Sequence, residues 1–348
     1  MKVSIVIVGG VFKSTKDEAD RIIKLTKCLK AINHLSFDDG DEVVISEYGM
    51  KPYLEKIAAS TLINIPFKHV YTQSDGEHFN QSIAKNRGSE IASGDILLYI
   101  NSDILLTHNC LSAVKSAFSE DQDRVFAICS RHDAFLSNYQ VDDFIEAIND
   151  DSQYQMVEDI AIQDPGWLYA LNVSNKSSYP YSIRLFSDER YRKNILPDFM
   201  NGYFVFGDFF AVSKNTWERF PFDEQCFALT DVFLRDIVFN HGKNGYKLVT
   251  VQEETSCFHL SGQDYAQQTQ KGSEKETRLH KDQVYLSEKY EELHHWFIFG
   301  FHVWCDEYIQ KFKLDPKSVI EEYRTPIYWQ HFQDKEHFCK TYNVSENM

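Results

Sequence analysis

The chain has 348 residues, with 52 acidic against 36 basic side chains, a net charge of −16 and 7 cysteines. That field repels a phosphate polyanion and sets nucleic acid aside as a partner. An odd, scattered cysteine set without CxxC pairs argues against a disulfide framework or zinc knuckle and for a reducing compartment.

In chain order, Val3–Val8 is a β-branched run closed by Gly9-Gly10, the mark of a buried parallel strand. Asp17–Ile32 has helical spacing with its charges on one face. Glu42–Ser46 (EVVIS) is a second buried strand, followed by Glu47-Tyr48-Gly49. Lys51–Leu62 reads as a helix and Lys68–Tyr71 as a short strand. Asn80–Ala92 reads as a helix with Gly94 after its end, and Asp95–Ile100 as another buried strand. Strands alternating with helices predict an α/β fold, a mostly parallel sheet with helices on both faces. Ligands of such sheets sit beyond the carboxyl ends of the strands, where Gly9-Gly10, Glu47 and Asn101-Ser102-Asp103 fall.

Cys110–Phe118 is expected to be a helix and Arg124–Cys129 a strand. Residues 131–200, rich in Asp, Asn, Ser and Tyr, read as irregular, and an insertion of that length in a compact domain usually carries function or moves. Tyr203–Val212 and Lys247–Val251 read as strands, and Asp231–Asn240 as a helix. Beyond Gly262 the sequence becomes polar and helical, then aromatic over His294–Tyr308. The expected organisation is one domain over 1–262, with a nucleotide-binding half (1–105) and an acceptor half (106–262), then a helical, aromatic-rich extension over 263–348. Aromatic residues are 14% of the chain; most must be core, and the excess suits a sugar-binding cleft.

Four segments carry chemistry in a fixed order: Asn80–Gly88 (NQSIAKNRG); Leu97–Asp103 (LLYINSD); Phe222–Glu224 (FDE) with Leu229–Arg235 (LTDVFLR); and Lys247–Val251 (KLVTV) with Cys257–His259 (CFH). The order resembles family-2 GT-A glycosyltransferases, the rhamnosyltransferase-like branch in particular. Their pattern runs N-x-x-x-A-R-N-x-G, a strand ending L-N-P-D, an F-D-E turn before E-D-x-x-L-x-x-R, and a strand followed by a lone His. The second half is also similar to the β-1,4-galactosyltransferase and chondroitin-polymerase groups. The resemblance covers residues 1 to about 262. It implies a GT-A fold and an inverting, metal-dependent transfer of a sugar from a UDP-, GDP- or dTDP-sugar to a glycan or glycoconjugate hydroxyl, in polysaccharide or glycoconjugate synthesis.

Read alone, Asp103 is a loop or helix cap or a metal ligand. His259 is a satisfied imidazole or a ligand, and Asp231 a helix-start carboxylate or a base. The resemblance implies that Asp103 and His259 hold Mn²⁺ or Mg²⁺ against the donor diphosphate, which an acidic protein could otherwise not retain. It makes Asp231 the base that takes the acceptor proton. It places Gly9, Glu47, Lys85, Asn86, Ser102 and Gly207 around the nucleotide sugar. The sequence departs from the pattern at Asn101 in place of a first Asp, at Lys85 and Lys214 in place of Arg, and at Thr230 in place of Glu. Asp223 and Glu224 read as braces for the loop before the base, and Trp167 as the best candidate for stacking on a sugar ring.

A dinucleotide-dependent oxidoreductase is excluded because no G-x-G-x-x-G opens a helix after any strand. A sugar nucleotidyltransferase lacks its Gly-rich, Arg-bearing first loop. The alternative from another class is an inactive GT-A-fold glycan-binding or scaffold protein, for which Thr230 speaks. The extension over 263–348, with its HHWFIFGFHVWCDEY block, suits a homo-oligomer interface, acceptor selection or membrane-surface contact, with packing favoured because no basic cluster flanks it. Without a signal peptide or membrane span in the sequence, the expected location is cytoplasmic, with a peripheral position at the inner membrane surface as the alternative.

Overall fold

A computed structural model describes residues 1–10, 15–74, 79–119, 125–128, 130–134, 138–150, 209–226, 247–250 and 256–260. The chain divides into two units, Met1–Glu276 and Thr277–Met348, and every described residue lies in the first. The element order is β1 (Val3–Gly9), α1 (Thr15–Ile32), β2 (Glu42–Gly49), α2 (Leu54–Thr61), β3 (Phe67–Gln73), α3 (Gln81–Ile91), β4 (Ile96–Asn101) and β5 (Ile104–Leu106). Then come α4 (Cys110–Phe118), β6 (Val125–Ile128), β7 (Ser130–Ala134), α5 (Asn138–Ile148), β8 (Phe209–Ser213), α6 (Lys214–Arg219), β9 (Lys247–Thr250) and β10 (Ser256–Leu260).

The seven-stranded sheet has the order β3-β2-β1-β4-β8-β6-β9, and a three-stranded sheet the order β5-β10-β7. β3, β2, β1 and β4 run parallel, β8 runs antiparallel to β4 and β6, and β9 is parallel to β6. This is the mixed α/β, mostly parallel arrangement expected from the alternation of elements. The chain winds outward from β1 to β3 and then returns to place β4 on the other flank of β1. The β1/β4 boundary is therefore the switch point, where a crevice opens beyond the strand ends.

The continuous runs VSIVIVG and ILLYIN are buried along both faces, as strands covered by helices on both sides must be. One face is filled by Leu25, Cys28 and Leu29 of α1, Leu54 and Ala58 of α2, and Val114 and Phe118 of α4, against Ile5, Ile7, Ile45 and Leu98. The other face receives α3 at close range. A Cβ at Gly88 would lie 2.6 Å from Val6 Cγ1 and 3.0 Å from Ser46 Cβ, so only glycine lets this helix approach β1 and β2 as it does. Asn80 caps α3 by accepting the Ile83 N–H at 2.9 Å.

Two elements fall where an irregular stretch was expected from residue 131 onward. β7 pairs in parallel with β10, and α5 buries Val141, Phe144, Ile145 and Ile148 against Phe258 and Leu105. Those four positions follow the i, i+3, i+4, i+7 rule of an amphipathic helix, a signal outweighed in the sequence by the polar residues around it. α5 is clamped to α1 by Asp142, which accepts from Lys27 at 2.6 Å and Lys30 at 3.0 Å. Among the described residues, no helix is long and apolar enough to cross a membrane.

Candidate active site

β4 ends at Asn101, and the chain turns through Ser102 and Asp103 into β5, which leaves the large sheet and pairs antiparallel with β10. The register sets His259 opposite Ile104, and the Leu260 N–H donates to the Asp103 carbonyl at 2.8 Å. Side chains 156 positions apart therefore meet: His259 Nε2 lies 3.3 Å from Asp103 Oδ2, with the imidazole 14% and the carboxylate 26% exposed. His259 does not follow a strand, as the sequence suggested, but sits within β10.

Gly9 closes β1 beside this turn. A Cβ there would meet Leu54 Cδ1 at 3.1 Å and Ser102 Oγ at 3.4 Å, so the bare backbone keeps a narrow space open between β1, α2 and the Ser102 turn. Thus Gly9, Ser102, Asp103 and His259 gather at the switch point. Arg21 of α1, which the sequence reading passed over, stands at the same strand end and donates to the Gly10 carbonyl at 3.0 Å. Cys28, buried beneath, receives an N–H bond from Ile104. Burial pushes its thiol well above the ordinary range, with the Asp103 charge adding to the effect.

Three of the residues expected around the nucleotide, Glu47, Lys85 and Asn86, are buried and bonded to neighbouring elements. The Glu47 side chain is fully buried. Its oxygens accept the N–H groups of Tyr53 at 2.7 Å and Leu54 at 3.1 Å, and His69 Nε2 lies 2.9 Å away. It faces inward because α2 begins there without a side-chain cap of its own. Lys85 is likewise fully buried, its ammonium 5.0 Å from the Phe210 ring centre and 5.4 Å from that of Phe222, with Gln81 Oε1 at 3.4 Å. Asn86 is a buried connector. Its amide donates to the Phe222 carbonyl and Glu224 Oε1, and its oxygen accepts from Trp217 Nε1 and the Phe222 N–H, at 2.9 to 3.1 Å. Together with Asn80, which donates to the Glu224 carbonyl at 2.7 Å, it fastens the Phe222-Asp223-Glu224 turn to α3. The NxxxAKN spacing is thus explained by packing of α3 on this turn, with Asn80 and Asn86 reaching the turn itself. A cavity of about 500 Å³ lies along this seam, lined by Glu90, Trp217, Glu218 and Pro221 among others. Gly207, Asp231 and Trp167 lie outside the described residues.

No family model matches the chain, and no curated protein matches it in sequence. Among solved structures the chain is similar to S. aureus TarS 1–349 in complex with UDP-GlcNAc, at 11% identity and a TM-score of 0.46, covering 86% of this chain and 72% of that one. It is similar to the mannosyltransferase PcManGT from Pyrobaculum calidifontis in complex with GDP-Man and Mn²⁺, at 14% identity and a TM-score of 0.44, covering 82% and 64%. It is also similar to GalNAc-T7 with UDP, GalNAc and Mn²⁺, at 12% identity and a TM-score of 0.45, covering 99% of this chain and 55% of that one. The chain therefore spans less than two thirds of the length of the last two.

Whether the residues present suit a divalent cation can be judged from the donor set. Two ligand atoms at about 2.1 Å from one octahedral ion stand about 3 Å apart when adjacent, close to the 3.3 Å between Asp103 Oδ2 and His259 Nε2. A carboxylate with an imidazole is a chemically reasonable pair for Mn²⁺ and less so for Mg²⁺. Among the described residues no group of three or more His, Cys, Asp or Glu could hold a metal. The pair fits the role of two protein ligands to an ion whose other positions are filled by a ligand's oxygens.

Proposed function

We propose that this chain is an inverting glycosyltransferase that moves a sugar from a nucleoside diphosphate donor to an acceptor hydroxyl, the GT-A reading that its motif order implies. The observation that carries it is the meeting of Asp103 and His259 at 3.3 Å beside Gly9 and Ser102, at the sheet's switch point. In this reading Asp103 and His259 hold the divalent cation, and Gly9 leaves room for the donor. A bound Mn²⁺ or Mg²⁺ supplies neutralisation of the charge that develops on the departing diphosphate. Asp231 accepts the acceptor's proton as its oxygen bonds to the anomeric carbon. The carbon–phosphate-oxygen bond breaks on the opposite face, and its electron pair leaves with the nucleoside diphosphate. Domain 1–262 carries the reaction in this reading, and the segment 263–348 serves acceptor choice or self-association.

The test is thermal stabilisation by UDP, GDP and dTDP with and without Mn²⁺, followed by nucleotide release from the corresponding sugars. The expected result is metal-dependent stabilisation by at least one nucleotide. Asp103→Ala and His259→Ala should each weaken it by an order of magnitude or more, about 1.4 kcal/mol per tenfold. Asp231→Asn should abolish transfer while leaving donor affinity nearly intact. Stabilisation by glycans with no nucleotide effect would instead identify a glycan-binding scaffold.

A further inference from the structure

We propose that Glu47 is a positioning residue for the donor site: it fixes the amino end of α2, and through Leu54 the space at Gly9 beside Ser102 and Asp103. The inference rests on the donor-site reading above and gives Glu47 a part in it other than direct contact.

Glu47 lies directly opposite Gly9 in the β1/β2 ladder. Its two oxygens take the N–H groups of Tyr53 and Leu54, which belong to the amino end of α2 and have no intrahelical partner. Lys51-Pro52-Tyr53 supplies no Ser, Thr, Asp or Asn at the cap, and Tyr53 makes no side-chain cap bond. A carboxylate from the preceding strand therefore does the capping, and its charge is favoured by the helix dipole. His69 of β3 supports the same oxygen that receives Leu54, at 2.9 Å, with its other nitrogen 3.8 Å from the exposed Glu55 carboxylate of α2.

Leu54 carries the effect onward. Its Cδ1 approaches within 3.1 Å of the Cβ position at Gly9, and Ser102 Oγ lies 3.4 Å from the same position. The Ser102–Asp103 turn is pinned from beyond by the Leu260 N–H bond to the Asp103 carbonyl. A release of α2 thus changes the space at Gly9 while the turn holds still. A carboxamide at position 47 cannot reproduce the arrangement, because its NH₂ group would face one of the three donors. A nearby phenol, Tyr71, is tied to the same strand end by donating to the Gly49 carbonyl at 2.9 Å.

The experiment measures calorimetric Kd values of the full chain for UDP, GDP and dTDP, with and without Mn²⁺, alongside Tm. Glu47→Gln should weaken Mn²⁺-dependent binding about tenfold, the scale typical of residues that orient a site from behind. His69→Leu should move affinity in the same direction by less, and His69→Gln should restore it, since its amide N–H reaches the same oxygen. Asp41→Asn is the matched control: Asp41 is also buried and also accepts two backbone N–H groups, from Val3 and Asp38, but stands before β2 at its opposite end. It should lose comparable thermal stability with nucleotide affinity unchanged. Wild-type affinity in Glu47→Gln, or an equal affinity loss in Asp41→Asn, overturns the proposal. If Glu47→Gln does not fold, equal affinities in His69→Leu and His69→Gln overturn it. A wild-type chain that binds none of the nucleotides with Mn²⁺ refutes the donor-site reading itself and takes this inference with it.

Discussion

Asp41 and Glu47 are buried carboxylates that bracket β2, one held by an ammonium and the other by an imidazole. Asp41, at the amino end, accepts the Val3 and Asp38 N–H groups at 2.8 Å and the Lys115 ammonium at 2.6 Å. Glu47, at the carboxyl end, accepts two N–H groups from the start of α2 and meets an imidazole, His69. The lysine brings a full charge to its carboxylate, whereas the imidazole offers it a single ring nitrogen. The amino pole is locked. At the carboxyl pole Asp103 also faces an imidazole, that of His259, at 3.3 Å. A carboxylate's role at β2 thus follows from the donors that reach it rather than from its place beside a strand end.

The contrast is broken most severely by removing the permanent cation. Lys115→Met strands the Asp41 charge and should cost about 3 kcal/mol, seen as a loss of urea midpoint at unchanged slope. Glu47→Ala leaves α2's donors unmet but strands no charge, and should cost about 2 kcal/mol by the same measurement. Asn86→Ala removes the connector between α3 and the Phe222 turn, and an equal cost of about 2 kcal/mol should appear with increased hydrogen exchange at Phe222.

Gly88→Ala, which drives a methyl into Val6, should cost about 1 kcal/mol. The smallest effect is expected at Asp142. Burial raises its carboxyl pKa, but the bonds from Lys27 and Lys30 outweigh that and hold it below the ordinary value. Its contribution is therefore complete above the unfolded carboxylate pKa and is lost as pH falls through the lowered folded value. Asp142→Asn should cost about 0.5 kcal/mol at neutral pH, because the side chain is half exposed, and less and less as pH falls below the ordinary carboxylate range. A cost that persists in acid would assign the clamp to packing of α5 instead.

The parallel half of the sheet was legible because its strands are written as unbroken apolar runs: SIVIV, EVVIS and ILLYI need no partner to be recognised. Their ends, and so the level of Gly9, Glu47 and Asp103, followed directly. β10 was not, since the five residues SCFHL are too short and mixed to stand out, and the strand exists through pairing with β5 and β7. The antiparallel β8 was visible as a strand within the expected run 203–212, of which residues 203–208 lie outside the described residues, but its direction depends on β4 and β6. The roles of Glu47 and Asn86 could not be read from spacing, because their partners come from α2, β3 and the Phe222 turn. Side chains that look like ligands in a motif can be fully spent on holding the backbone.

Among the described residues, Cys28, Cys110 and Cys257 are buried thiols outside any disulfide. Burial drives the Cys28 and Cys110 thiols far above the range where thiolate forms. An alkylating reagent attacks thiolate, so these sulfurs are silent while the core is closed and react once it opens. Cys28 lies under the Asp103 turn and Cys110 begins α4. The rate at which each becomes labelled is thus a clock for the local unlatching of the floor beneath the site, read without any added probe.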